Sequence, residues 1–311
     1  MKTVIVTPRS LSSGGHPLLE KIREAGYGIS FPAPGAQPTP AQLATVLDGA
    51  VGWLAGVEKI DAALLAAAKD LKVISRNGTG VDNIDLAAAE RHGIVIRRAE
   101  GANARGVAEL AFGHMLAAAR RIPLSAEALR GEAWTREKGF ELEGKTLGLV
   151  GCGRIGKLVA HFAFAFGMKV LAYDPYPDYA FALSDSFKWT TLEEVLTGAD
   201  VVSLHCPPRP DGSAVIDALA LASMKKGVIV VNTARESVVE WVAMKAALDS
   251  GKASWYTVDA FDREPPETYE IPRHPRVIAT PHIGGFTDQS IDRATEVAVV
   301  NLLASLAEAK A

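Results

Sequence analysis

The chain has 311 residues, 48% of them hydrophobic, and a formal net charge of -3. At about 150 residues per domain this length predicts two domains, each able to bury its own core. The charge leaves no basic excess for a nucleic-acid partner or an anionic membrane surface, and no apolar run reaches the roughly 18 residues of a membrane span.

The opening residues, Met1-Lys2-Thr3-Val4-Ile5-Val6-Thr7-Pro8, read as a strand and lack the long apolar stretch of a signal peptide. From there β-branched runs alternate with helix-length segments, the pattern of βαβ units that build a parallel sheet. The first strands are expected at Lys2 to Val6, Tyr27 to Phe31, Val51 to Leu54, Lys72 to Arg76 and Ile94 to Arg97, with a helix at Asp61 to Ala68 and a proline-rich loop at Pro32 to Pro40. Gly106 to Arg121 is alanine-rich, apolar and free of proline, which predicts a long, mostly buried helix joining two domains. A second series follows at Thr146 to Val150, Lys169 to Tyr173, Val201 to His205, Val228 to Asn232, Trp255 to Asp259 and Val277 to Thr280. These six strands predict a full doubly wound sheet. The last helix, Asp288 to Ala307, places Ile291, Ala294, Ala298, Leu302 and Leu306 at helical spacing and is expected to return to the first domain. The first domain is therefore expected to be discontinuous, 1–100 with 286–311, around a second domain of 101–285.

The most informative segment is Gly151-Cys152-Gly153-Arg154-Ile155-Gly156, which lies between a strand and a helix. Gly151 permits a tight turn, Gly153 admits a pyrophosphate close to the backbone, and Gly156 lets helix pack on strand. The anion then sits on the helix N-terminus, where unpaired N–H groups and the dipole favour it. Asp174, eighteen residues past Gly156, stands where an acid binds the ribose hydroxyls. Its charge would repel a 2′-phosphate, and Pro175-Tyr176-Pro177 offers no arginine to hold one, so NAD is favoured over NADP. Cys152 fills a variable slot in the turn and is assigned no chemistry. Cys152 and Cys206 are the only cysteines; they form neither a disulfide framework nor a metal-site pattern, and a reducing cytoplasm fits them.

Three segments follow later strands: Val231 to Arg235, Val258 to Pro266 and Thr280 to Gly285. In open α/β sheets ligands bind at that edge. Transfer of a hydride between alcohol and ketone needs a cation for the substrate carboxylate, a base for the hydroxyl proton and a group to tune that base. Arg235 can hold a carboxylate through two parallel hydrogen bonds. His282 is the candidate acid-base, since an ordinary imidazole titrates near pH 6.5. Glu264 is expected to hydrogen-bond the other ring nitrogen, fixing its tautomer and favouring the protonated ring. Asp259 is expected near the nicotinamide.

With these residues in place the chain resembles the D-isomer-specific 2-hydroxyacid dehydrogenases, and among them the D-3-phosphoglycerate dehydrogenase-like members. The resemblance runs through Ser75 to Asp85, Gly101-Ala102-Asn103, the glycine turn and the three later segments. It implies two similar α/β domains around a cleft, a Rossmann domain for NAD and a flavodoxin-like domain for a small carboxylate substrate, in a homodimer built largely on the cofactor domains. It also implies that Arg235, Glu264 and His282 are catalytic, and that Arg76, Asn77 and Gly78 belong to the substrate loop. The cofactor set becomes Gly151, Gly153, Arg154, Ile155, Gly156, Asp174, His205, Cys206, Pro207, Thr233, Ala234, Asp259 and Gly284, with no metal.

Departures from the family pattern bear on the substrate. Glu236-Ser237 stands where two glycines usually follow the arginine, and Glu240-Trp241 where Asp-Glu is common. Ala55 replaces an arginine that often holds a substrate phosphate, while Arg76 and the partner-reaching segment Trp134-Thr135-Arg136 could still hold one. Among substrates 3-phosphoglycerate comes first, then the glycerate, glyoxylate and hydroxypyruvate types. Two other readings are a formate-dehydrogenase-like member, which Glu264 with His282 opposes, and an NAD-sensing scaffold of the corepressor type.

Overall fold

Short apolar runs become strands that pair in parallel throughout the described residues, which in the computed structural model are 2–13, 16–181 and 184–309. Two compact units result, Met1–Asn103 with Thr287–Ala311, and Ala104–Phe286.

In the first unit β1 (Thr3–Val6), β2 (Gly28–Ser30), β3 (Ala50–Ala55), β4 (Val73–Arg76) and β5 (Val95–Arg98) lie in the order β2-β1-β3-β4-β5. That is the flavodoxin-like order, with its switch point between β1 and β3. Every residue of β3 is buried, as expected of a central parallel strand covered on both faces. Helix starts follow the local chemistry. Asp61 accepts the Leu64 N–H at 3.0 Å and Asp85 the Ala88 N–H at 2.8 Å, satisfying amides that the first helical turn leaves unpaired. The final helix, Asp288–Glu308, lays Ala298, Val299, Leu302 and Leu306 against Val4, Val6, Val51, Leu54 and Val73. Gly52 makes room for it: a Cβ there would sit 3.0 Å from Leu302 Cδ1. Ser75 Oγ donates to Ala298 O at 2.7 Å and fastens the same contact.

The second unit holds β6 (Thr146–Val150), β7 (Lys169–Tyr173), β8 (Phe187–Trp189), β9 (Val201–Leu204), β10 (Val228–Asn232), β11 (Ala253–Val258) and β12 (Val277–Ala279). Their order is β12-β11-β10-β9-β6-β7-β8, the Rossmann arrangement with one further strand. Six strands were expected here and seven are found among the described residues. The addition, β8, is Phe-Lys-Trp at the sheet edge, too short to show an alternating pattern. It is held by pairing Val170 with Phe187 and by packing of the Phe187 and Trp189 rings 5.2 Å apart. The long helix, Ala104–Ala119, begins this unit and buries Ala108, Ala111, Phe112, Met115 and Ala118. Among the described residues no helix is long and apolar enough to cross a membrane.

Candidate active site

The switch point of the second sheet lies between β6 and β9, and there the three glycines prove to have three different surroundings. Gly151 sits at φ +89°, a conformation costly for any residue with a Cβ, and a Cβ would lie 2.6 Å from His205 O. A Cβ on Gly156 would lie 2.5 Å from Gly151 O, so helix Arg154–Ala165 packs directly on the turn. A Cβ on Gly153 would meet no atom within 4 Å. The first and third glycines are therefore required by the protein's own packing, and the second is open at the N-terminus of the helix, where an anion is favoured.

Other groups around this turn fit a dinucleotide. Asp174 follows β7 and accepts the Cys152 and Tyr176 amides, each at 2.9 Å, which turns its carboxylate toward the glycine segment. Arg154 and Ile155 are the first residues of the helix. His205, Cys206 and Pro207 follow β9, with Ser203 Oγ 2.9 Å from His205 Nε2. Burial pushes the His205 imidazole down to about 4, so the ring is neutral near pH 7, and its Nδ1 is buried without a hydrogen-bond partner. Thr233 Oγ1, just beyond β10, is likewise buried and unsatisfied among the described residues. Unsatisfied buried polar atoms call for a partner, and a bound cofactor would supply one. Burial, with the Asp174 charge, pushes the Cys152 thiol up to about 12, and burial pushes Cys206 up to about 11. Neither is a thiolate near neutrality, in keeping with a packing role.

The Arg235, Glu264 and His282 segments all leave the same edge of this sheet. Asn232, at the buried end of β10, accepts the Ala234 amide at 3.0 Å and donates through Nδ2 to Arg235 O at 2.8 Å. The Arg235 guanidinium donates to Ala234 O at 2.8 Å. Ser237 donates through N and Oγ to Asp262 Oδ1 at 3.3 and 3.1 Å, joining the arginine segment to the glutamate segment. Glu264 and His282 are 18 residues apart in sequence, yet His282 Nδ1 stands 2.7 and 2.9 Å from the two Glu264 oxygens. With Nδ1 engaged by a carboxylate, Nε2 is the nitrogen left for a substrate. Burial acts to raise the Glu264 carboxyl, but the His282 hydrogen bond and charge, the Phe261 amide and the Arg235 charge hold it below its usual value. Glu264 therefore stays ionised at neutral pH.

Asp259 proves to be the anchor of the histidine loop. Only 2% exposed, it accepts the Thr280 hydroxyl at 2.6 Å and the Ile283 and Gly284 amides at 2.9 Å, while its own carbonyl accepts the His282 amide at 2.8 Å. His282 lies at φ +53°, where a side chain is rarely found, and these bonds hold it there. Gly284 is needed beside the carboxylate, since a Cβ would come 3.0 Å from Asp259 Oδ2. Behind the loop, His114 Nε2 approaches Thr280 Oγ1 at 3.3 Å. Burial holds that imidazole below its usual value against the opposing charge of Asp259. Sequence reasoning gave no role to His114, Asn232 or Thr280. The readable signals were a lone histidine in an alanine-rich helix and a polar residue ending an otherwise apolar strand.

Arg76, Asn77 and Gly78 belong to the first unit, at the end of β4 and just beyond it. Arg76 Nη1 donates to Asn77 O at 2.7 Å, and the guanidinium fills the space beside Gly78, where a Cβ would meet Nη1 at 2.9 Å.

A Rossmann sheet with an open glycine turn, an acid after the second strand and unsatisfied polar atoms around the switch point defines a dinucleotide-binding protein. Residues 112–284 match the family described as D-isomer specific 2-hydroxyacid dehydrogenase, NAD binding domain, and the chain belongs to that family. It is 41% identical over 242 residues to D-3-phosphoglycerate dehydrogenase of Mycobacterium tuberculosis, a match covering 77% of this chain and 46% of that protein. The chain thus spans about half the length of the curated relatives it matches. Among solved structures, the TT0316 protein of Thermus thermophilus aligns with a TM-score of 0.86 at 37% identity, over 98% of this chain and 97% of that one. A glyoxylate reductase from Paecilomyes thermophila aligns with a TM-score of 0.81 at 27% identity, over 97% and 94%.

Proposed function

We propose that the protein is an NAD-dependent oxidoreductase that transfers a hydride between the cofactor and C2 of a small D-2-hydroxy or 2-keto acid. The observation that carries this reading is the Glu264–His282 pair, at 2.7 Å, on a loop that Asp259 fixes at the same sheet edge as Arg235. Arg235 would bind the substrate carboxylate by paired hydrogen bonds and so orient C2. His282, held through Nδ1 by ionised Glu264, would take the hydroxyl proton on Nε2 during oxidation and return it during reduction. The bound nicotinamide supplies the hydride acceptor or donor. Gly153, the amides at the start of helix Arg154–Ala165, Asp174 and Thr233 would hold that cofactor, with His205, Cys206, Pro207, Ala234, Asp259 and Gly284 around it. In this reading the first unit carries the substrate loop, Arg76 to Gly78, and the second the cofactor.

The named relatives frame the substrate: D-3-phosphoglycerate dehydrogenase on the phosphorylated side, glyoxylate reductase on the unphosphorylated side. NADH oxidation against a panel of 2-keto acids tests the reaction. Turnover of at least one member supports it; NADH binding without any turnover defeats it in favour of a cofactor-sensing scaffold.

Asp174 should set the choice of dinucleotide. Asp174→Asn removes the charge that opposes a 2′-phosphate and keeps an acceptor for one of the two amides, which Cys152 and Tyr176 donate to different oxygens. The preference for NADH over NADPH is expected to fall by about tenfold, equivalent to about 1.4 kcal/mol. Paired kcat/KM values for the two cofactors measure it, and an unchanged ratio would leave Asp174 a purely structural acceptor.

The chain is also expected to form a homodimer in the cytoplasm. Helix Ile122–Arg130 buries none of its residues, and Ile122, Leu129 and nearby Trp134 are 53%, 58% and 84% exposed, an apolar surface suited to a second copy. Both cysteines are free thiols, which suits a reducing compartment.

A further inference from the structure

The buried side of helix Ala104–Ala119 is apolar except at one place. Among Ala108, Ala111, Phe112 and Met115 stands His114, only 4% exposed. Packing alone would be served by a leucine or methionine, and a buried imidazole is costly unless its nitrogens are used. Val107 and His114 are seven residues apart and so share one helix face. Both meet the loop that carries His282: a Cβ on Gly284 would lie 3.2 Å from Val107 Cγ2, and His114 Nε2 stands 3.3 Å from Thr280 Oγ1.

The sense of that hydrogen bond follows from its neighbours. Thr280 has a single hydroxyl hydrogen, and it goes to Asp259 Oδ1 at 2.6 Å, since a carboxylate can only accept. Toward His114 the threonine oxygen is therefore the acceptor, and Nε2 carries the proton. Nδ1 is buried with no partner among the described residues. A proton there would make the ring a buried cation with an N–H that has nothing to donate to. Burial also holds the ring below its usual titration range against the opposing charge of Asp259, which keeps it neutral near pH 7. The donors thus run one way, from His114 to Thr280 to Asp259. Asp259 in turn accepts the Ile283 and Gly284 amides on its carboxylate and the His282 amide on its carbonyl.

We propose that His114 is a positioning residue: as a neutral Nε2–H donor it fixes the Thr280 hydroxyl on Asp259, and through Asp259 it holds His282 in its left-handed turn. The inference rests on the dehydrogenase reading only for the use to which the loop is put. One neutral hydrogen bond contributes modestly to stability, but a small displacement of a reacting group is felt strongly in the rate.

Three substitutions test it. His114→Met fills the space without a donor, His114→Gln keeps an N–H for Thr280, and Thr280→Val removes the hydroxyl through which His114 acts. In His114→Met, kcat on a 2-keto acid should fall about tenfold while NADH affinity stays within about twofold of the wild type. The Ile283 and Gly284 amides should exchange with solvent about tenfold faster, and the Val230 and Val231 amides of β10 should keep their protection. His114→Gln should recover most of both losses. Added to Thr280→Val, His114→Met should cost nothing further, because the two act through one link. Nitrogen NMR of the wild type should show His114 protonated on Nε2 at pH 7. A proton on Nδ1 overturns the proposal even if the methionine variant does not fold. So do equal losses in the methionine and glutamine variants, additive losses in the double variant, or unchanged exchange at Ile283 and Gly284. A wild type that reduces no keto acid would instead sink the dehydrogenase reading, and the exchange and NMR results would then decide the role of His114 by themselves.

Discussion

Replacement of His282 by alanine is expected to lower kcat by about a thousandfold, the usual scale for loss of a positioned acid-base, with NADH affinity nearly unchanged. The cofactor groups lie on the glycine turn and beyond β7, β9 and β10, whereas His282 lies past β12 and is held by Asp259 and Glu264. Alanine alone is an ambiguous probe, because position 282 has φ +53° and a left-handed residue other than Gly or Asn is strained. His282→Asn removes the imidazole while tolerating that backbone. The asparagine variant should melt close to the wild type, and both variants should lose turnover and keep binding NADH. An asparagine variant that retains a normal rate would remove His282 as the proton carrier.

The second large effect is structural. Gly151→Ala places a Cβ 2.6 Å from His205 O at φ +89°, which combines backbone strain with a collision against backbone that cannot rotate away. Each of the two is worth about 1–3 kcal/mol, so a loss of about 3 kcal/mol and a drop in melting temperature on the order of 10 °C are expected. Gly153→Ala is the contrasting case. Its Cβ meets nothing within 4 Å, so the protein should fold normally and yet bind NADH weakly, because the methyl occupies the space an anion needs. Thermal melts and NADH titrations of the two variants separate the roles. Equal melting losses would contradict this division of labour between the glycines.

Both sheets were legible because parallel strands buried on two faces read as continuous apolar runs, as in Val228-Ile229-Val230-Val231. Strand β8 was not, since three residues at an edge are fixed by their neighbours rather than by a pattern of their own. At the site, residue types announced themselves where chemistry demands them, as with an arginine, a glutamate and a histidine after successive strands. What they rest on did not. Asp259 reads from sequence as a residue near the nicotinamide, and the fold commits its oxygens to Thr280, Ile283 and Gly284. His114 reaches Thr280 across 166 positions and Ser237 reaches Asp262 across 25, so neither pairing has a local signature. The acid at Glu58 looks in sequence like one more loop charge, and only the fold sinks it behind Thr7, Trp53 and Gly56.

Hydride transfer to C2 can be followed by isotope transfer. NADH carrying deuterium at nicotinamide C4 would be incubated with the protein and a 2-keto acid, and the product examined by NMR and chiral chromatography. One deuterium is expected at C2 of a D-2-hydroxy acid, formed by the wild type and absent with His282→Asn. Bound NADH that delivers no deuterium to any 2-keto acid, or a product of L configuration, would contradict it.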